Sequence, residues 1–129
     1  MSLVLADTSV WIAHFRRADP LLQSLLAMDR IACHPLVVLE IACGTPPAPR
    51  ERTIADLKRL QNAVVATTDE ILALIERHRL HDSGCGAIDT ALLAGVLLTP
   101  TTLLWTRDKP LAALAARLGI AFSPIAAQS

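Results

Sequence analysis

Four acidic residues lie in apolar surroundings: Asp7, Glu40, Asp89 and Asp108. Asp7 closes the hydrophobic run 3–6, and Glu40 lies inside the run 36–42. A charge in such surroundings is costly unless it is paired or bound to a metal. Because no basic residue is close in sequence to Glu40 or Asp89, the pattern indicates that the four carboxylates share a divalent cation.

The chemistry of such a cluster is that of a hard cation. Mg²⁺ and Mn²⁺ prefer carboxylate oxygen and water, whereas crowded carboxylates without a cation repel one another and take up protons. A bound divalent ion offsets this repulsion and lowers the pKa of an attached water, which becomes a nucleophile near neutral pH. Phosphodiester hydrolysis needs this combination of activated water and charge neutralisation.

Each acid also has a simpler explanation when it is taken alone. Asp7 and Asp108 could cap the helices that follow them, and Lys109-Pro110 after Asp108 suits a helix start. Asp89 could cap or neighbour the start of its helix, where Ser83 competes for the role. Glu40 is predicted within a helix, where it has no capping function.

Length and composition indicate one compact domain over residues 1–129, with 53% hydrophobic residues and no sign of disorder. The longest apolar stretch, 91–98, falls short of the roughly 18 to 20 residues that span a bilayer. The N-terminus lacks the features of a secretory signal, so we expect a cytoplasmic protein without a membrane segment.

Cys33, Cys43 and Cys85 include no C-x-x-C pair, and buried reduced thiols are favoured over a zinc site at Cys33, His34 and Cys43.

The formal net charge is zero, from 12 Lys+Arg and 12 Asp+Glu. If the four acids above share a pocket, the rest of the chain carries 12 basic against 12 − 4 = 8 acidic groups. Nearly all the positive charge is arginine, whose guanidinium suits phosphate contacts. A genomic base composition that favours arginine explains the same bias equally well.

Predicted strands and helices alternate along the chain, and the strands are continuous apolar runs. This pattern predicts an α/β fold with a mostly parallel sheet of about four to five strands flanked by helices. In such sheets ligands bind beyond the carboxyl ends of the strands, where Asp7 and Asp108 are expected. The predicted strands are 3–6, 31–33, 64–66, 102–106 and 120–122, and the clearest predicted helices are 36–43, 51–62, 87–98 and 109–118.

Four sequence blocks resemble the PIN-domain ribonucleases and, within them, the VapC toxins of bacterial toxin–antitoxin pairs. The blocks occur in the family's order and are distributed along nearly the whole chain, from residue 4 to residue 111. They are 4–12 (VLADTSVWI), 39–44 (LEIACG), 86–94 (GAIDTALLA) and 104–111 (LWTRDKPL).

The resemblance implies a PIN-like three-layer fold and an endoribonuclease, dependent on Mg²⁺ or Mn²⁺, that leaves a 5′-phosphate and a 3′-hydroxyl. By position, Asp7, Glu40, Asp89 and Asp108 form its acidic site. Asp7 and Asp89 are assigned as direct metal ligands, Asp108 as a ligand or water-mediated partner, and Glu40 as a water-positioning residue or outer ligand. Hydroxyls that could hold these carboxylates belong to Thr8, Ser9 and Thr106, although capping and turn formation explain them about as well.

The resemblance also implies an RNA substrate, a VapB-like antitoxin whose C-terminal segment covers the active site, and a homodimer. Arg107 and Lys109 flank a site acid and could bind RNA phosphates, or be ordinary solvated charges. With four aromatic residues and no tyrosine, base stacking is disfavoured, and RNA shape and backbone are expected to be recognised instead. Trp11 is predicted in the core, while Phe15 could face either the core or a partner.

Other classes fit the sequence less well. A haloacid-dehalogenase-like phosphatase would need a second acid where Ser9 stands, and a receiver domain would need a lysine outside the T-R-D-K block that contains Lys109. The phosphate-binding glycine motifs of common nucleotide-binding proteins are absent from the sequence. A non-catalytic PIN domain used for binding or RNA processing is the remaining alternative, and the presence of all four acids argues against it.

Overall fold

The computed structural model describes residues 1–125. Four strands and seven helices occur in this part of the chain. The strands are β1 (Leu3–Ala6), β2 (Ile31–Cys33), β3 (Gln61–Asn62) and β4 (Thr102–Trp105). The helices are α1 (Thr8–Arg16), α2 (Pro20–Ala27), α3 (Pro35–Cys43), α4 (Arg50–Lys58), α5 (Thr68–His78), α6 (Ala87–Leu98) and α7 (Lys109–Arg117).

The four strands form one all-parallel sheet in the order β3-β2-β1-β4, flanked by the helices. The predicted α/β fold is therefore confirmed, with four strands. The central strand β1 pairs with β2 on one side and with β4 on the other, and Ala6 lies opposite Trp105. This order brings the carboxyl ends of β1 and β4 together, although they are far apart in sequence.

Two strand predictions were wrong in detail. The third strand is Gln61–Asn62 and not 64–66, because the backbone leaves the sheet after Ala63 and the Val64 N–H donates to the Thr99 hydroxyl at 2.8 Å. Residues 120–122 were predicted as a strand. They lie beside β4 but form only an isolated parallel bridge, between Leu104 and Ala121. Helix α4 is also shorter than predicted, since it ends at Lys58.

Helix α6 has the predicted bounds and is buried from Thr90 to Val96. Gly95 allows its close packing, because a Cβ atom at this position would lie 2.7 Å from the Val64 carbonyl oxygen. Pro35 begins α3 and Gly44 ends it, as predicted. None of the helices in residues 1–125 has the length and apolar character required to cross a membrane.

Candidate functional site

The site is built around Asp7, the residue that follows β1. Its N–H donates to the Trp105 carbonyl oxygen at 3.0 Å, which continues the pairing of β1 with β4 and fixes Asp7 beside Thr106. Asp7 is only 5% exposed. It is also the N-cap of α1, because its Oδ1 accepts the Val10 N–H at 3.2 Å. The capping interpretation is thus correct for Asp7, and the cap leaves part of the carboxylate for other partners.

Two hydroxyl groups hold the Asp7 carboxylate. The Ser9 hydroxyl donates to Oδ1 at 2.5 Å, and the Thr106 hydroxyl donates to Oδ2. Burial raises the pKa of Asp7 above its ordinary value, and these hydrogen bonds, with that from Val10, act in the opposite direction. A buried carboxylate in a fixed orientation is therefore presented at the end of the sheet.

The same two hydroxyls connect Asp7 with the start of α7. The Ser9 oxygen accepts the Arg107 N–H at 2.9 Å, and the Thr106 oxygen accepts the Asp108 N–H at 3.0 Å. Asp108 is the N-cap of α7, since its Oδ2 accepts the Leu111 N–H at 3.0 Å. The loop that carries Asp108 is consequently tied to the residues that orient Asp7.

Glu40 reaches the site from α3. The Thr8 hydroxyl, in the first turn of α1, donates to Glu40 Oε1 at 2.6 Å. Because Asp7 already caps α1, the Thr8 hydroxyl is free to donate a hydrogen bond to an acidic residue of another helix. Glu40 itself is partly buried.

Asp89 lies in the first turn of α6, whose N-cap is Gly86. Ser83 does not cap this helix, since its hydroxyl oxygen accepts the Cys85 N–H at 3.4 Å. The pKa of Asp89 is raised, first by burial and next by the charge of Asp108. The charges of Asp7 and Glu40 also raise it, and a hydrogen bond from the Gly86 backbone opposes them. Asp108 makes the largest of these charge contributions, and one of its carboxylate oxygens lies within 4.8 Å of an Asp89 oxygen.

Cys85 is a member of this cluster that the sequence did not reveal. Its Sγ and one carboxylate oxygen each of Asp89 and Asp108 lie within 4.8 Å of one another. The thiol is partly exposed, and its pKa is raised by burial and then by the charge of Asp89, with a smaller contribution from Asp108. The only available signal was the spacing Cys85-x-x-x-Asp89 across a helix start.

The cysteine predictions need correction in other respects. Cys33 is buried as predicted, but Cys43 is exposed. In residues 1–125 these two thiols and His34 do not form a metal-binding group, and His34 Nδ1 instead accepts the Leu36 N–H at 3.0 Å as the N-cap of α3.

The predicted core position of Trp11 is confirmed at 4% exposure, and Phe15 packs against it while remaining partly exposed.

The donor set of the site fits a hard divalent cation. Within the described part of the chain the one ion pair joins Arg59 to Asp56, so none of the four site acids has a basic side chain within 4.0 Å. Carboxylate oxygens that repel one another, and that lack a basic partner, are ligands suited to Mg²⁺ or Mn²⁺.

The basic residues of the chain differ in their availability to bind a phosphate. Arg107 and Lys109 are exposed and flank Asp108. The Arg50 guanidinium instead donates to the carbonyl oxygens of Ala42 and Gly44, which closes the end of α3. Arg16, Arg17 and Arg52 are exposed.

Comparison with known proteins agrees with this fold. A family model described as PIN domain matches residues 4–117. The chain is also 45% identical over 121 residues to proteins named Ribonuclease VapC32 in two strains of Mycobacterium tuberculosis, CDC 1551 / Oshkosh and ATCC 25618 / H37Rv. Each alignment covers 94% of this chain and 97% of the relative.

Proposed function

The chain belongs to the PIN domain family, and from that premise we propose that it is a metal-dependent endoribonuclease acting as the toxin of a toxin–antitoxin pair. The relatives named as ribonucleases support the activity, since the alignments extend over nearly the full length of both chains. The proposal assigns this activity to a single domain that works in the cytoplasm.

The observation that carries the proposal is a group of acids without basic partners. An Asp89 oxygen lies within 4.8 Å of an Asp108 oxygen, and no basic side chain pairs with any of the four acids in residues 1–125. The charges of Asp108, Asp7 and Glu40 also act in the direction that raises the pKa of Asp89. Without a cation such an arrangement is unfavourable. We therefore assign Asp7, Asp89 and Asp108 as ligands of Mg²⁺, with Mn²⁺ as a substitute.

The chemistry supplied by the bound ion would be neutralisation of the scissile phosphate's charge and acidification of water. The protein's own groups do the rest. Asp7 is held by Ser9 and Thr106, so its carboxylate needs no reorientation when the substrate arrives. Glu40, whose Oε1 accepts the Thr8 hydroxyl, is proposed to orient the attacking water and to accept its proton.

The proposed substrate is RNA bound mainly through its backbone. Arg107 and Lys109 are exposed beside Asp108 and are proposed to contact phosphates next to the scissile bond. As partners we propose a VapB-like antitoxin that covers the acidic site and a second copy of the chain in a homodimer. The names of the relatives support the antitoxin proposal.

The direct test is RNA cleavage by the purified protein with Mg²⁺ or Mn²⁺, and with EDTA. We expect cleavage only with the cation, and a loss of about 100-fold or more in Asp7→Asn and Asp89→Asn. Asp69→Asn is the matched control, because Asp69 also lies in the first turn of a helix but outside the site. Cleavage that persists in EDTA, or full activity in both site variants, would rule out the mechanism.

The toxin role is tested by expression in a bacterial host. We expect growth arrest by the wild-type chain, relief of the arrest by Asp89→Asn, and unchanged arrest by Asp69→Asn. Harmless expression of a wild-type protein that cleaves RNA in vitro would contradict the toxin role and leave the ribonuclease activity standing.

A further inference from the structure

We propose that the acidic site has a second cation-binding mode, in which Cys85 joins Asp89 and Asp108 to bind a thiolate-preferring divalent cation such as Zn²⁺ in place of Mg²⁺. This mode rests on the proposed function only in that the two cations share Asp89 and Asp108.

The geometry of three donors supports the mode. The Cys85 Sγ and one oxygen from each of the two aspartates lie within 4.8 Å of one another. Tetrahedral Zn²⁺, with bonds of roughly 2.0 to 2.3 Å, holds its ligand atoms roughly 3.3 to 3.8 Å apart. Side-chain movements of about 1 Å would therefore bring the three ligand atoms to the distances that Zn²⁺ requires. Such movement is available, because Asp108 is exposed and Cys85 belongs to a partly exposed loop.

Two of the three donors come from the start of α6, and the third comes from the start of α7. Cys85 precedes α6, Asp89 is in its first turn, and Asp108 begins α7. Asp108 uses Oδ2 as the cap of α7, so its other oxygen is available to a cation without loss of the cap. The cluster thus needs no unfolding of either helix to bind an ion.

The identity of the donors decides which cation binds. A thiolate is a soft ligand that favours Zn²⁺ and related ions, whereas Mg²⁺ takes oxygen ligands almost exclusively. Cys85 thus contributes nothing to Mg²⁺ affinity but adds a strong bond for Zn²⁺. Since both ions need Asp89 and Asp108, binding is mutually exclusive, and Zn²⁺ would block the cation required for RNA cleavage.

Cd²⁺ is a suitable probe, because its bond to a thiolate gives an ultraviolet charge-transfer absorption that carboxylates do not produce. The full-length protein is titrated with Cd²⁺ under reducing conditions. The variants are Cys85→Ser and the matched control Cys43→Ser, which removes the exposed thiol at the end of α3. Circular dichroism checks folding, and Cys85→Ala repeats the test with a side chain that cannot bind metal.

We expect the absorption in the wild type and in Cys43→Ser, with one Cd²⁺ per chain, and its loss in Cys85→Ser and Cys85→Ala. Cd²⁺ affinity should fall by roughly 10-fold or more in the two Cys85 variants, since even outer-shell partners of a metal contribute roughly 10- to 100-fold. Asp89→Asn should weaken the absorption at limiting Cd²⁺, and excess Mg²⁺ should reduce it.

Absence of the band in the wild type, its persistence without Cys85, or indifference to both Asp89→Asn and Mg²⁺ would overturn the second binding mode. The readout is independent of RNA cleavage. A protein that shows the Cys85-dependent band but cleaves no RNA contradicts the proposed function alone, and one that cleaves RNA with Mg²⁺ but shows no band contradicts this inference alone.

Discussion

The Thr8 hydroxyl donates a hydrogen bond of 2.6 Å to Glu40 Oε1, across 32 positions of sequence. It joins the first turn of α1 to the middle of α3, and it fixes one oxygen of a carboxylate that pairs with no basic residue in the described part of the chain. Thr8 is also adjacent in sequence to Asp7. A single turn of chain therefore carries one site acid, Asp7, and holds a second, Glu40.

Removal of this hydroxyl tests its part in the proposed activity. Thr8→Val should lower RNA cleavage with Mg²⁺ by roughly 10- to 100-fold, because Glu40 loses the partner that orients it. Thr53→Val is the control, since the Thr53 hydroxyl donates to the Pro47 carbonyl oxygen away from the acids. Initial cleavage rates of the two variants measure the effect. Equal rates for both variants would show that Thr8 does not position Glu40.

Charge repulsion at Asp89 predicts an unusual stability change. Asp89→Asn should raise Tm in the absence of divalent cations, because it removes a partly buried charge that is repelled by other acids, most of all by Asp108. The wild type should gain Tm when Mg²⁺ or Mn²⁺ is added, and the variant should gain much less. Asp69→Asn should instead lower stability slightly, by about 0.3 to 1 kcal/mol, because it removes a favourable charge at the start of α5. Thermal unfolding with and without the cation distinguishes these results.

The buried His34 side chain should make the free energy of unfolding depend on pH. Burial lowers its pKa, and its Nδ1 accepts the Leu36 N–H, so the folded protein holds it neutral. The unfolded chain binds a proton at His34 as pH falls below about 6.5, and the folded chain does so only at lower pH. Stability from this residue is therefore complete above about pH 6.5 and falls toward the folded pKa, by at most about 1.4 kcal/mol per pH unit.

Denaturant unfolding between about pH 5 and pH 7.5 measures this contribution. His34→Asn keeps a capping side chain for α3 but removes the titrating group, so its stability should vary less with pH in this window. Parallel curves for the wild type and the variant would contradict the assignment, whatever their difference in absolute stability.

The packing of α6 gives a prediction at Gly95. Alanine favours a helix over glycine by about 1 kcal/mol, but the added Cβ would lie 2.7 Å from the Val64 carbonyl oxygen. Gly95→Ala should therefore destabilise the protein by about 1 to 3 kcal/mol, as overpacking does. Gly44→Ala, whose nearest contact would be 3.6 Å, should change stability by less than about 0.5 kcal/mol. Chemical denaturation of both variants compares the two sites.

The alternation of apolar runs was sufficient to predict the parallel sheet and to place Asp7 at a strand end. The strand after α4 was misplaced, because Val64 and Val65 have high β-propensity, whereas the backbone bonds that decide pairing involve Gln61 and Asn62. Tertiary hydrogen bonding outweighed local preference at this position.

Individual acids were identifiable from their apolar surroundings, and the predicted strand ends accounted for Asp7 and Asp108, which follow the neighbouring strands β1 and β4. Cys85 was not identifiable, because a single cysteine in a glycine-containing loop has no distinguishing pattern. Its relation to Asp108 depends on how α6 and α7 pack, which local sequence does not specify. The partner of Thr8 was hidden for the same reason, since capping explains a threonine at a helix start equally well.

The hydroxyl of Thr106 that holds Asp7 comes from a residue 99 positions later in the chain. During synthesis on a ribosome, β1 emerges long before β4, so the early chain has neither this hydroxyl nor the Asp108 carboxylate. The acidic site is therefore completed only when nearly all the described residues have left the exit tunnel. The timing of its assembly is set by the order of the strands, so an incomplete chain lacks part of the acidic site.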